Sequence, residues 1–382
     1  YQKRDEGNVG DYEDEPFPVF EDEVKAFTAS GPIIKDKLFF FVGYEENEKS
    51  LPGLYGTKDS GAQNPASVVT TALAEEIRQF TIANYGGYDP GYTNLVTFPE
   101  THEEWTVKID AVLSDDHRAT FNVSHSEDLT PQRYNNWSRV VFSNNWYYKP
   151  PEIDRASFTL YSDWSDRLST KFKYTSYEME EDDASYGDDF FPEMNITVRD
   201  PVTGDRDNVF LGGDRYRGAN LINVESEFLT LKADYNMDDH VYTVGYERDN
   251  SDVVNLFIAR YNAEVRFNSF DDYKIGKWSR LRIHEPYAGH SAVQSMAADF
   301  EVEKTSMYIQ DRWFVNSDLT VQYGIRYDSV LTPIAPDTNV NFVKQYGFSN
   351  SAKFDFEVLQ PRFSFNMDVS DSLFGDSDRV VA

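Results

Sequence analysis

Leu319-Thr320-Val321-Gln322-Tyr323-Gly324-Ile325-Arg326-Tyr327-Asp328 alternates without a break: Leu319, Val321, Tyr323, Ile325 and Tyr327 are apolar, and each residue that follows one of them is polar or glycine. Successive side chains of a strand point to opposite faces, so this decapeptide has one apolar and one hydrophilic face. The pattern recurs. Trp105, Val107, Ile109, Ala111 and Leu113 alternate with Thr106, Lys108 and Asp110; Leu229, Leu231, Ala233 and Tyr235 with Thr230, Lys232 and Asp234; Ala156, Phe158 and Leu160 with Arg155, Ser157 and Thr159. Two stretches are less regular. Thr305–Val315 breaks the alternation, and in Lys353–Asp368 the apolar phase shifts between Val358 and Phe363 around Pro361, which predicts a bulge.

Short Asp-rich turns join these strands in pairs: Lys35-Asp36-Lys37, Ser114-Asp115-Asp116-His117, Ser165-Asp166-Arg167, Met237-Asp238-Asp239-His240 and Asn316-Ser317-Asp318, with Asp371–Asp378 as a sixth. Asp, Asn and Ser suit such turns because their side chains satisfy local backbone groups. The pairs fall at roughly 24–48, 103–127, 152–180, 223–260, 299–332 and 353–382. Long polar segments at 49–102, 128–151, 181–222, 261–298 and 333–352 separate them and exceed ordinary compact loops. A helix is predicted near 65–84: Asn64-Pro65 supplies its start, Val69, Leu73, Ile77 and Phe80 recur at helical spacing, and Asn84-Tyr85-Gly86 ends it. A hairpin outside the main sheet is predicted over Asn195–Val209.

Composition agrees with a β-rich chain. The 382 residues include 28 Phe, 25 Tyr and 6 Trp against 19 Leu. No cysteine is present, which excludes disulfides and thiolate metal sites. A net charge of −30 argues against a nucleic-acid partner, since phosphate contacts need surplus Lys and Arg. Mean hydropathy is −0.60, and no apolar run is long enough for a transmembrane helix. The whole of 1–382 is expected to be an internal piece of one longer β-barrel domain.

Two β architectures compete. A soluble propeller, which would suit a hydrolase, needs four-stranded blades at a period of about 40–50 residues. The short turns recur at irregular intervals, each holding two main strands. An antiparallel transmembrane β-barrel predicts the observed features: strands of about ten residues, apolar outward and polar inward, short turns on one side and long loops on the other. Tyr44, Trp105, Trp164, Tyr235, Trp313 and Tyr327 stand near strand ends, where interfacial girdles lie. Inward Lys108, Asp110, Lys171, Lys173, Lys232, Asp234, Arg326 and Asp328 are expected to pair with one another or to face a plug.

Three segments carry a family resemblance. Ala29-Ser30-Gly31-Pro32-Ile33-Ile34-Lys35-Asp36-Lys37-Leu38-Phe39-Phe40-Phe41-Val42-Gly43-Tyr44-Glu45 resembles a stretch typical of TonB-dependent outer-membrane receptors of the Oar-like group. Tyr308-Ile309-Gln310-Asp311-Arg312-Trp313 with Tyr323-Gly324-Ile325-Arg326-Tyr327 is similar to a strand pair found across these receptors, and Leu359-Gln360-Pro361-Arg362-Phe363 to another of their strands. The resemblance implies a 22-stranded barrel, of which this chain would be about half, in the outer membrane of a Gram-negative bacterium. It also implies an N-terminal plug and a TonB complex as partners outside this chain. The function implied is active uptake of a scarce nutrient, with outer-membrane lipid and lipopolysaccharide around the wall. Siderophore, glycan, peptide and secreted protein stay open as substrates. The rival in the same architecture is an adhesion or binding protein that displays its loops on a barrel.

Catalytic motifs are lacking: there is no Gly-rich phosphate loop, no His-Glu-x-x-His and no Gly-x-Ser-x-Gly, so no enzyme and no required cofactor is expected. Two acidic groups offer the hard oxygen ligands that suit Ca²⁺: Asp182, Asp183, Asp188 and Asp189, and Asp200, Asp205 and Asp207 around Pro201-Val202-Thr203-Gly204. Trp137, Trp146, Tyr147 and Tyr148 are expected as exposed aromatic surface for sugars or peptides, with His284 and His290 as further ligand contacts.

Overall fold

A computed structural model describes residues 1–5, 20–51, 53–93, 98–132, 136–187, 190–285 and 296–368. Twelve strands form one antiparallel meander, each hydrogen-bonded to the next: Gln2–Asp5, Glu21–Ile34, Leu38–Leu51, Phe98–Ser114, His117–Gln132, Glu152–Asp163, Leu168–Asp182, Asn220–Met237, His240–Phe257, Ala298–Phe314, Leu319–Leu331 and Phe356–Met367. A continuous meander rules out separate propeller blades. Asp36 and Asp238 take positive φ in the tight turns, at 61° and 53°. At Asn316 the side-chain oxygen accepts the amides of Asp318 and Leu319, both at 2.9 Å.

Register sorts the two faces. Leu160, Phe172, Leu231, Tyr246, Met307, Tyr327 and Leu359 are directly opposed across seven strands and form an apolar row. The other face carries Lys173, Thr230, Glu247, Ser306 and Asp328 in one row. There the charges pair locally: Lys108 with Asp110 and Lys232 with Asp234 at 2.9 Å each, and Arg326 with Asp328 at 2.9 Å and Glu247 at 2.8 Å. Gly245 lies under the ring of Tyr308, where any Cβ would overlap it, so the aromatic covers backbone that a larger residue could not vacate.

Pro361 makes no bulge. The Phe356–Met367 strand pairs continuously with its neighbour, and Leu359, Pro361, Phe363, Phe365 and Met367 share one face. Val358 belongs to the opposite face, opposed to Asp328, which is why the phase looked shifted in sequence. Proline is accommodated because this is the outermost described strand. The irregularities lie instead at Pro32/Ile34 and Val112/Ser114. In Thr305–Val315 the break is Asp311, a carboxylate on the apolar face that accepts from Tyr323 Oη and meets His240 Nδ1, both at 2.7 Å.

At the long-loop rim, the apolar belt gives way to carboxylates in register. Glu46, Glu103, Glu127, Glu152 and Glu180 are directly opposed in one row. Asp154, Glu178, Glu225, Asp252 and Glu301 form the next.

The long segments fold together. One strand each from 128–151, 181–222 and 261–298 joins further strands of those segments in a five-stranded sheet, ordered Arg280–Arg282, Glu264–Phe267, Glu193–Arg199, Arg206–Leu211, Arg139–Val141. The Thr71–Asn84 helix packs on it through buried Ala74 and Ile77. With Ile196, Val209, Leu211 and Tyr273 these residues build a core within what were read as loops; we call this layer the cap. Burying each such aliphatic side chain contributes about 1.5–3 kcal/mol. The helix starts later than predicted. Thr70 is its N-cap, accepting the Leu73 amide at 3.2 Å, while Asn64-Pro65 forms a short parallel bridge with Tyr55-Gly56.

Candidate functional site

The cap is organised around two buried glutamates that the β-sheet brings to neighbouring strands. Glu193 opens the Glu193–Arg199 strand and pairs in parallel register with Glu264. Around Glu264, Arg260 Nε donates at 2.7 Å, Arg266 Nε at 2.5 Å and Arg215 Nη1 at 3.0 Å, with Arg282 at 3.7 Å. Burial alone would raise this carboxyl; the hydrogen bonds from Arg260 and Arg266 and the charge of Arg215 outweigh it and hold it at about 2. Glu193 has less support. Burial pushes its carboxyl up to about 7, against the guanidinium of Arg215 and with Asp214 adding to the rise. Its Oε2 accepts the Arg215 amide at 3.2 Å and Asn145 Nδ2 at 3.4 Å.

The two glutamates respond to pH in opposite senses. Folded Glu193 holds its proton more tightly than the unfolded chain, whose value is 4.5. Cap stability therefore rises as pH falls from about 7 to 4.5, by at most about 3 kcal/mol. Glu264 stays ionised throughout that window and loses its contribution only as pH falls from 4.5 toward about 2. Hydrogen exchange of the Glu193–Arg199 amides, corrected for intrinsic rates, should be slower at pH 5 than at pH 7.5. Glu193→Gln should remove the difference; a pH dependence unchanged in this variant would refute the assignment.

On the cap surface, a recess of about 440 Å³ is lined by Ser67, Trp137, Ser138, Arg199, Gly204, Asp205, Arg206 and Asn208. Trp137 is 67% exposed. Arg199 and Arg206 stand directly opposite each other on the hairpin, both exposed, and among the described residues neither has a carboxylate within ion-pair distance. Two guanidinium groups free of a direct ion pair thus stand beside an exposed indole, with the Asp205 carboxylate on the same rim. Of this set, Trp137 was selected by sequence as ligand surface and Asp205 as a metal ligand; the arginines were passed over although the predicted Asn195–Val209 hairpin sets Arg199 opposite Arg206, because neither belongs to a recognisable motif.

The remaining predicted site residues part company. Trp146 and Tyr147 are buried, not exposed: Trp146 packs with Val141 and Phe210, and Tyr147 lies under the Arg217 guanidinium. Tyr148 is half-buried, its ring 5.9 Å from that of Tyr186. His284 is exposed, and its amide donates to Arg260 O at 3.2 Å. Among the described residues, no three of these acids come together as one group of metal ligands. Asp183 is buried against Arg217 and Asn220, and burial pushes its carboxyl up. Asp207 is buried and accepts the amides of Ser67, Val68 and Val69, which steers the chain into the helix. Asp200 accepts the amides of Val202 and Thr203, Asp205 accepts the Thr203 hydroxyl at 2.8 Å, and Asp182 is exposed at a strand end. Asp188, Asp189 and His290 lie outside the described residues.

Comparison with known proteins places this architecture. The family described as an outer membrane beta barrel domain matches residues 50–371. No curated protein matches the chain. Among solved structures, the outer membrane transporter YddB from Escherichia coli superposes with a TM-score of 0.53 at 11% identity, over 94% of this chain and 37% of that one. The ferric yersiniabactin uptake receptor FyuA from Yersinia pestis gives 0.49 at 9% identity over 92% and 43%. The F5-1 variant of the FrpB iron transporter from Neisseria meningitidis gives 0.49 at 11% over 91% and 42%. At this identity the likeness to YddB is one of fold. The chain spans about two-fifths of the length of these three structures.

Proposed function

The chain belongs to the outer membrane β-barrel domain family, and on that footing we propose that the intact protein is a TonB-dependent transporter of the Oar-like group. In this reading the chain is about half of a 22-stranded barrel. Plug and remaining strands lie elsewhere in the protein, because a sheet in lipid must close on itself. The observation that carries the reading is the division of the sheet. An apolar outer face meets lipid, and an inner face of locally paired charges suits a solvated passage beneath the cap. Lipopolysaccharide and the TonB complex are its partners; nucleic acid is not, and transport rather than catalysis is its activity.

The recess on the cap supports a reading of the substrate class. Arginine binds carboxylates through two parallel hydrogen bonds, and an indole face stacks on a sugar ring. We assign it to a carboxylated glycan. Charge-assisted hydrogen bonds contribute about 1.5–3 kcal/mol each, so the Arg199→Ser/Arg206→Ser protein should bind a uronate oligosaccharide at least tenfold more weakly on whole cells. Trp137→Ala should lose several-fold. Binding unchanged in both would discard the assignment.

The rigid, hydrophobically cored cap also suits display, the adhesin alternative. Uptake by cells with and without a functional TonB complex separates the two. Uptake should vanish without TonB while surface binding persists; uptake that persists without TonB would remove the energy-coupled reading.

A further inference from the structure

On the outer wall, His125 stands directly opposite Asp154 on one side and Trp105 on the other. Glu152 precedes Asp154 by two residues and therefore shares its face. His125 Nδ1 lies 3.0 Å from Asp154 Oδ1, and one donor atom from each of His125, Glu152 and Asp154 falls within 4.8 Å of the others. Tetrahedral donors around zinc sit roughly 3.3 Å apart, so closure takes only rotation of the two carboxylate side chains. The imidazole is already held. Trp105 stacks on it at 5.8 Å with 22° between the planes, and the side chain is 20% exposed.

Electrostatics asks for a cation here. Glu127 and Glu180 flank Glu152 in register, and Glu178 faces Asp154. Among the described residues, none of these carboxylates has a Lys or Arg within ion-pair distance. Like charges directly opposed across a sheet are destabilising, and among the described residues His125 is the one basic group in the cluster that can offset them. Imidazole together with carboxylate selects a borderline metal of the zinc class; Ca²⁺ and Mg²⁺ take oxygen ligands.

We propose that His125, Glu152 and Asp154 bind one divalent transition-metal ion of the Zn²⁺ class, which clasps the His117–Gln132 and Glu152–Asp163 strands at the long-loop rim. The site is independent of what the protein transports. Zn²⁺ titration of the EDTA-stripped intact protein in detergent, read by calorimetry and by melting temperature, tests it. One equivalent of Zn²⁺ should bind and raise the melting temperature. Affinity should fall at least tenfold in His125→Ala and in Glu152→Gln, both of which should keep heat-modifiable migration on gels, and a hundredfold excess of Ca²⁺ should not displace the ion. An intact protein that binds no Zn²⁺, an affinity reduced less than tenfold in both variants, or displacement by Ca²⁺ would each overturn the proposal.

Discussion

Replacing Glu264 with alanine is expected to cost the cap about 3–5 kcal/mol, the range for removing one partner of a buried ionic cluster. This single carboxylate receives Arg260, Arg266 and Arg215 directly and has Arg282 nearby. Without it, Arg215 has Glu193 and Asp214 to turn to, and burial already raises both carboxyls. Limited proteolysis reads the result: cleavage within residues 181–285 should accelerate strongly, while heat-modifiable migration of the barrel is retained. Glu264→Gln keeps the shape and some hydrogen bonds, so its effect should be smaller. Equal protease resistance of Glu264→Ala and the parent would show that the arginines do not depend on Glu264.

That cluster is also where sequence reading reached its limit. The meander was legible because period-2 alternation is local: Leu319–Tyr327 declares both faces within one strand, and Asp36 or Asn316 declares the turn that precedes the next. The cap core was legible only in parts, as the predicted helix carrying Val69 and Ile77 and the predicted hairpin carrying Ile196 and Val209. Val140, Phe267 and Tyr273 come from separate segments whose apolar runs are too short to show a period, and the hairpin of Ile196, Val209 and Leu211, though predicted over Asn195–Val209, gives no sign in sequence of what it packs against. They find each other only through tertiary pairing, such as the parallel register of Glu193–Ile196 with Glu264–Phe267. The same blindness sent Trp146 and Tyr147 to the surface and Asp207 to a metal, because a residue in a long irregular segment reads as exposed until the segment is seen to have an interior. Trp137, which is exposed, was the aromatic for which that assumption served.

A lysine at Ile309 tests the assignment of faces most severely. Ile309 is 52% exposed and sits about midway along its strand, with Trp313 toward the short-turn end and Glu303 toward the rim. Its register partners are Val244 and Ile325, so no carboxylate of the directly opposed residues could receive the charge. If this face meets the hydrocarbon core, Ile309→Lys should destabilise the folded barrel by about 2–4 kcal/mol, the range for a cation at the bilayer midplane. The adjacent Gln310 points the other way, where its side chain bonds Gln322 at 3.2 Å. Gln310→Lys keeps the ammonium among polar groups on a wetted face and should cost no more than about 1 kcal/mol. Urea unfolding of the intact protein in lipid vesicles measures both. The contrast is what matters, since the two substitutions place the same charge one residue apart. Equal costs would mean that the alternation does not separate lipid from lumen, and a larger cost at Gln310 would turn the sheet inside out.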